Sequence, residues 1–491
     1  MSGSISFDGI PVAIRLPGTY VEISNRRAQQ GLLAWPARVL LVGQKVAGGT
    51  APIGVPFPIA AGYADARLAG GRGSLLEQIA KPYFANAGYT ETWGLVLDEP
   101  SGGAPATATI AVTGTATASG TIALLINQLR VPVGVTVGQT AGQVASAIQA
   151  ALAAAGDLPV TAAVTTSTVT CTARNKGEHG NGIDMRHSFY RGESLPAGIS
   201  LAISAFTGGT GNPSIQTALD AMGDAWFTDY VLPYTDGSNV AALEAKLLGD
   251  FGPLVMRDST YWTAIAGTYS SCYSYLSSRN GQVGVTFPLR GAPFAPYQFA
   301  AAAAGFSVPL LAADPARPIQ NVAMAGILAT PPNVHWTRTE RELFLNNGGS
   351  TFRVGNGGEV IIERAVTNYR LAAAGVPDTS YLNLETLKTV AFLRYDLRTF
   401  IPRTYPRHKL ANDGTQFAQG QAVVTPGLAR AEIIARARQW ETAGLVENLD
   451  QFKEDIIVKR NPDDPDRLDA MLPPDLVNQL RVFAAQIQFL N

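Results

Sequence analysis

Val39-Leu40-Leu41-Val42, then Ser74 to Ala87 (SLLEQIAKPYFANA), then Trp93 to Leu97 (WGLVL): these pieces decide the fold class. VLLV is apolar without alternation, as in a parallel strand covered on both faces. Ser74 is a natural N-cap, and Leu75, Leu76, Ile79 and Tyr83 share one face of a helix. WGLVL is a second apolar strand. Strand, helix, strand opens an α/β layer. The pattern returns beyond residue 211, with helices at 214–225, 239–249, 268–278 and 297–305. Strands are expected at 228–233, 261–265 and 282–287, and near 322–328. Residues 38–99 and 211–336 are therefore expected to form one doubly wound α/β core.

Outward from this core the composition changes. From Ser101 to Ala173 the only charged side chains are Arg130 and Asp157. Thr, Val and Ala alternate around one helix at 140–155, so residues 100–210 read as an inserted β-rich domain. The Gly-rich GGTGNPS at 208–214 reads as its flexible junction. Residues 337–473 mix a turn at 355–358, a strand at 360–362, helices at 383–399 and 427–443, and a β segment at 455–459. The second helix carries Arg430, Arg436 and Arg438. NPDDPDR at 461–467 reads as a solvated acidic turn, since the prolines and the missing bidentate Glu speak against calcium.

Both ends look like strands. Residues 1–37 read as an extended arm in which Thr19, Val21 and Ile23 alternate with polar neighbours. The ending VNQLRVFAAQIQFLN (477–491) alternates at Ala485, Ile487 and Phe489, with Val482 just before; residues 474–491 form the second arm. Termini fray unless tied down. Two readings stay open: edge strands of the chain's own domain, or strands added to neighbouring copies.

At 491 residues the chain is long enough for several domains. Lys plus Arg (37) balances Asp plus Glu (38), against a dedicated nucleic-acid binder. Charged residues are only 15%, as expected of a surface largely covered by copies of itself. The two cysteines, Cys171 and Cys272, fit no metal spacing and point to a reducing compartment. The opening MSGSISFDGIP has neither the basic nor the apolar region of a secretory signal. The longest apolar stretch, 299–313, is interrupted by Gly305 and Pro309 and is too short for a bilayer span.

Catalytic signals are sparse. His179, His187, His335 and His408 sit in no metal or triad spacing. His179 and His187 read as loop histidines with backbone partners. No Gly-x-Ser-x-Gly elbow and no phosphate-binding GxxxxGK[ST] occurs. No catalytic, metal or cofactor residue is expected.

Longer stretches carry a resemblance. PGTYVEI (17–23), GRGSLLEQIAKPY (71–83), GTGNPSIQTAL (209–219), LPYTD (232–236), DPARPIQNVAMAGIL (314–328) and ERELFL (340–345) are similar to the tail sheath proteins of Mu-like contractile-tailed bacteriophages. So are VTNYRLAAAGVPDTSYLNLETLKTVAFLR (366–394), YPRHKLANDGTQF (405–417) and the ending RNPDDPDRLDAMLPPDLVNQLRVFAAQIQFLN (460–491). The resemblance spans essentially the whole chain. It implies a subtilisin-like three-layer α/β core without a protease site, an outward-facing insertion and an α+β C-terminal domain facing the tube. It further implies exchanged arms, with Thr19, Val21, Ile23, Val482, Ala485, Ile487 and Phe489 in inter-subunit strands.

The expected function is a structural subunit polymerising as stacked hexameric rings, contracting to drive a tube through the host envelope. Expected partners are further copies of the chain, the tail tube protein, and baseplate and tail terminator proteins. No nucleic acid and no membrane insertion is expected. Arg430 and Arg438, eight apart on one helix face, are candidate contacts to an acidic tube. The expected location is the virion, after assembly in the host cytoplasm. A phage-like injection particle or bacteriocin would use the same machine. A subtilisin-like hydrolase would need an Asp, a His and a Ser around an oxyanion hole. An adhesin would explain the Thr-rich insertion, although it would need export.

Overall fold

The computed structural model describes residues 15–21, 32–418 and 420–489. Its centre is a parallel sheet of β1 (Arg38–Gln44), β2 (Glu91–Leu97), β3 (Asp229–Val231), β4 (Thr260–Ala266) and β5 (Gly284–Leu289). The spatial order is β5-β4-β3-β1-β2, with the short piece Phe57–Pro58 antiparallel on the edge of β2. Val39 to Val42 are fully buried, so both faces of the sheet are covered, as the unbroken apolar run requires. Between β1 and β2 lies α1 (Leu75–Phe84), whose Ser74 hydroxyl accepts from the Glu77 N–H. Helix α2 (Gly237–Phe251) follows β3 and buries Val240, Leu243 and Leu247 in the same core.

Helix α3 (Pro296–Ala313) runs well beyond the expected 297–305. Gly305 does not end it. A Cβ there would lie 2.4 Å from the Tyr83 carbonyl oxygen, so the glycine is what lets α3 lie against α1. Pro309 is accommodated inside the helix. The strand expected near 322–328 does not extend the parallel sheet. Val322–Met324 pairs antiparallel with Val360–Arg364, which also pairs with Thr351–Val354 in a separate three-stranded sheet.

Residues 107–203 form their own core from two antiparallel sheets and the helix Ala141–Ala154. GGTGNPS is held rather than loose. Thr210 bridges Ala104, the Gly209 N–H donates to Asn181, and Asn212 donates to Asp236 at 2.7 Å. The C-terminal region centres on α4 (Leu384–Thr404) and α5 (Pro426–Thr442), with a core containing Phe392, Ile433, Trp440 and Phe452. A hairpin of β6 (Ile457–Arg460) and β7 (Leu468–Met471) follows, and the acidic turn joins its strands.

Candidate assembly surfaces

The C-terminal arm leaves the body by way of one short strand pairing, and among the described residues beyond Leu476 it has no sheet partner. Asp475–Leu476 makes a short pairing with Val446–Glu447, and Val477 donates to the Leu445 carbonyl. From 478 to 489 the backbone is in no strand. Val482, Phe483, Ile487 and Phe489 are all at least 80% exposed. An edge strand of the chain's own domain is therefore not what this segment forms. Val482 is separated from Ala485 by an odd interval, so a regular strand would place it on the opposite face. Phe483 shares the face of Ala485, Ile487 and Phe489; strict parity in the sequence would have found it.

Thr19 and Val21 lie in an exposed stretch without strand pairing, and Tyr20 turns its hydroxyl back to the Leu16 carbonyl. Ile23 lies outside the described residues. Leu32 and Trp35 pack against the C-terminal core, Trp35 edge-on against Trp226 and Tyr395.

Helix α4 contacts the parallel sheet, α5 and the C-terminal arm. Near its start, buried Glu385 accepts from the Ile319 N–H at 2.8 Å and from Arg481 of the arm at 2.6 Å. Lys388, also buried, pairs with Asp229 of β3 at 2.8 Å, and the same oxygen accepts from Thr260 and Trp262. Arg394 pairs with Asp258 and lies over the Phe251 ring. Asp396 accepts from Arg436 and Trp440 of α5. One helix thus fastens the parallel sheet, α5 and the arm together.

The arginines of α5 differ in their surroundings. Arg436 is buried and its charge is committed to Asp396, so it does not lie on an outer face. Half-buried Arg430 donates to the Lys453 and Ile456 carbonyls, at the C-terminal end of the helix Leu449–Asp455, where a cation is favoured. Arg438 is exposed.

One cavity collects catalytic residue types. It measures about 340 Å³ and lies at the carboxyl ends of β3 and β4, the usual ligand position in open α/β sheets. His179, Ser271, Cys272 and Tyr275 line it. The half-buried His179 ring lies against Tyr234 and Tyr297, and the residue sits in the short 3-10 turn Glu178–Gly182 rather than in an open loop. Burial drives its imidazole down to about 4, with Asn212 opposing, and pushes the Cys272 thiol up to about 11. Burial thus favours the neutral form of both groups. His187 lies in the strand Met185–His187, its Nδ1 beside the Ser188 hydroxyl.

The sequence pattern of the phage tail sheath protein central domain matches residues 208–368, and that of the phage tail sheath C-terminal domain matches 376–490. The Mu-like prophage FluMu tail sheath protein of Haemophilus influenzae is 39% identical over 487 residues, covering 99% of this chain and 100% of that protein. Among solved structures, the sheath tail protein of Desulfitobacterium hafniense is 11% identical, with 94% and 100% of the two chains covered and a TM-score of 0.47. The sheath tail protein of Listeria innocua is 12% identical, with 90% and 92% covered and a TM-score of 0.49. The chain belongs to the phage tail sheath family, and its function is that of a contractile phage tail sheath subunit, a structural component of the virion.

Proposed function

We propose that the chain polymerises as stacked hexameric rings around a tail tube, and that its two arms are exchanged between neighbouring copies as added strands. The observation that carries this is the C-terminal arm, where residues 478–489 are in no strand and Val482, Phe483, Ile487 and Phe489 are exposed. Burying a side chain such as Phe489 gains about 1.5–3 kcal/mol, and each added backbone hydrogen bond about 0.5–1.5 kcal/mol net. The hairpin of β6 and β7 is a two-stranded sheet with partly exposed Ile457 and Met471, suited to receive a third strand. On the N-terminal side, Thr19, Val21 and Ile23 take the same role. The subtilisin-like description of the core rests on the family resemblance. The parallel strand order, numbered along the chain as 2-1-3-4-5, is equally that of flavodoxin-like sheets.

Contraction is then a change between two packings of the same subunits, triggered at a baseplate, with the arms holding neighbours together while the bodies move. Arg438, and Arg430 in part, face the tube, where exposed ion pairs of about 0–1 kcal/mol each release easily. Assembly takes place in the host cytoplasm. The test is electron microscopy of the full-length protein beside a chain lacking residues 477–491. The full chain should form rings or tubes, and the shortened chain should stay folded and monomeric. Normal tubes from the shortened chain would exclude strand exchange through this arm.

A further inference from the structure

A second cavity, of about 220 Å³, lies beyond the end of β5, between the segment 330–341 and the strand Thr351–Val354. Three guanidinium groups line it. Arg290 donates to the carbonyls of Val334 and His335, stands 3.4 Å from Glu340 and lies 4.3 Å over the Trp336 ring. Arg341 pairs with Glu363 at 2.8 Å. Arg353 makes only a long hydrogen bond, 3.4 Å, to Asn321. Among the described residues no carboxylate pairs with it. Three cations thus face two carboxylates, and about one positive charge is left over at the cavity.

A polar group here is also left over. Thr330 is 4% exposed and lines the cavity, yet its hydroxyl has no hydrogen-bond partner. Leaving such a group unpaired is costly, and such groups call for an occupant. Arg353 is exposed, so its guanidinium stands at the mouth of the cavity, whereas the Thr330 hydroxyl is buried within it. Buried Trp336 and Phe352 form apolar walls, which strengthen any electrostatic contact inside. The volume is below the roughly 300 Å³ at which drug-sized ligands begin to fit, so the occupant is small.

We propose that this cavity is an oxyanion site, taking a phosphate or carboxylate group between the Arg353 guanidinium and the Thr330 hydroxyl. The test is calorimetric titration of the full-length protein with inorganic phosphate and with acetate, using chloride at matched ionic strength as reference. Saturable binding at one site per chain is expected. It should weaken about tenfold or more in Arg353→Gln, the loss of one charge-assisted contact, and about threefold in Thr330→Val. Arg353→Lys keeps the charge but not the planar fork and should fall between. Binding of phosphate alone assigns the site to phosphate groups, and binding of acetate assigns it to carboxylates. No saturable binding of either anion above chloride, or affinity unchanged in Arg353→Gln, overturns the proposal.

Discussion

His179 shows how one residue's surroundings outweigh its place in the sequence. Its Gly-rich flanks read as an open loop, but its ring is packed among Tyr234, Tyr297 and Asn212. An unfolded histidine titrates near 6.5, and the folded one near 4. Between these values the unfolded chain binds more protons, so stability rises with pH. The neutral-imidazole contribution is complete above pH 6.5, is lost as pH falls towards 4, and amounts to about 3 kcal/mol at most. Urea unfolding midpoints of the native chain and His179→Gln, compared between pH 7 and pH 4, should diverge over this window. Parallel profiles would show that the imidazole is not held neutral. Asp396 is the opposite case, a buried charge with its partners in place. Asp396→Ala leaves Arg436 uncompensated and Trp440 without its acceptor, and should cost about 3–5 kcal/mol. A loss below about 1 kcal/mol in chemical unfolding would mean that water reaches Arg436.

Elements whose apolar pattern is local were legible. VLLV and WGLVL became β1 and β2, and the bounds of α1, α4 and α5 fall within a few residues of expectation. What was not legible depended on distant partners. Gly305 and Pro309 look like helix breakers until Tyr83 is placed against Gly305. Val322–Met324 reads as another core strand until its antiparallel partner at 360–364 is known. The arginines of α5 were visible as a basic run, but Asp396, forty residues away, and the carbonyls at 453 and 456 decide where their charges go. In the arm, the alternation of Ala485, Ile487 and Phe489 extends by parity to Phe483 and not to Val482. If residues 482–489 add to a sheet with one buried face, Phe483→Ser and Phe489→Ser should impair tube formation more than Val482→Ser. Each loses about 1.5–3 kcal/mol per interface. Sedimentation of the assembled fraction measures this, and equal effects at 482 and 483 would mean that the arm docks without strand regularity.

At the scale of the whole molecule, the segment 107–203, which has its own core, meets the carboxyl ends of the parallel strands. Asn175 is buried there, accepting from the first helical N–H of α1 at Leu75 and donating to the Lys45 carbonyl. Glu99 accepts from Gln44, Asn175 and the Lys176 N–H. The Tyr234 hydroxyl donates to Gln44. The crevice beside β1, where open α/β proteins commonly bind ligands, is thus filled by the chain itself. These bonds join residues up to about 190 positions apart, and low charge and β-branched alternation carry no trace of them. The insertion can be peripheral to assembly and still matter to stability. Replacing residues 100–210 with a Gly/Ser linker should leave a chain that folds and polymerises, with a lower unfolding temperature because the start of α1 loses Asn175 and Gln44 loses the Lys176 carbonyl. Asn175→Ala alone should give part of that loss, about 1–3 kcal/mol for the cap and the groups it leaves unpaired. Differential scanning calorimetry with electron microscopy separates the outcomes. An unchanged unfolding temperature would make the contact energetically idle, and a chain that cannot fold would make the insertion part of the core. Tubes that form from the shortened chain but melt earlier would place its contribution in holding each subunit rigid while its neighbours move.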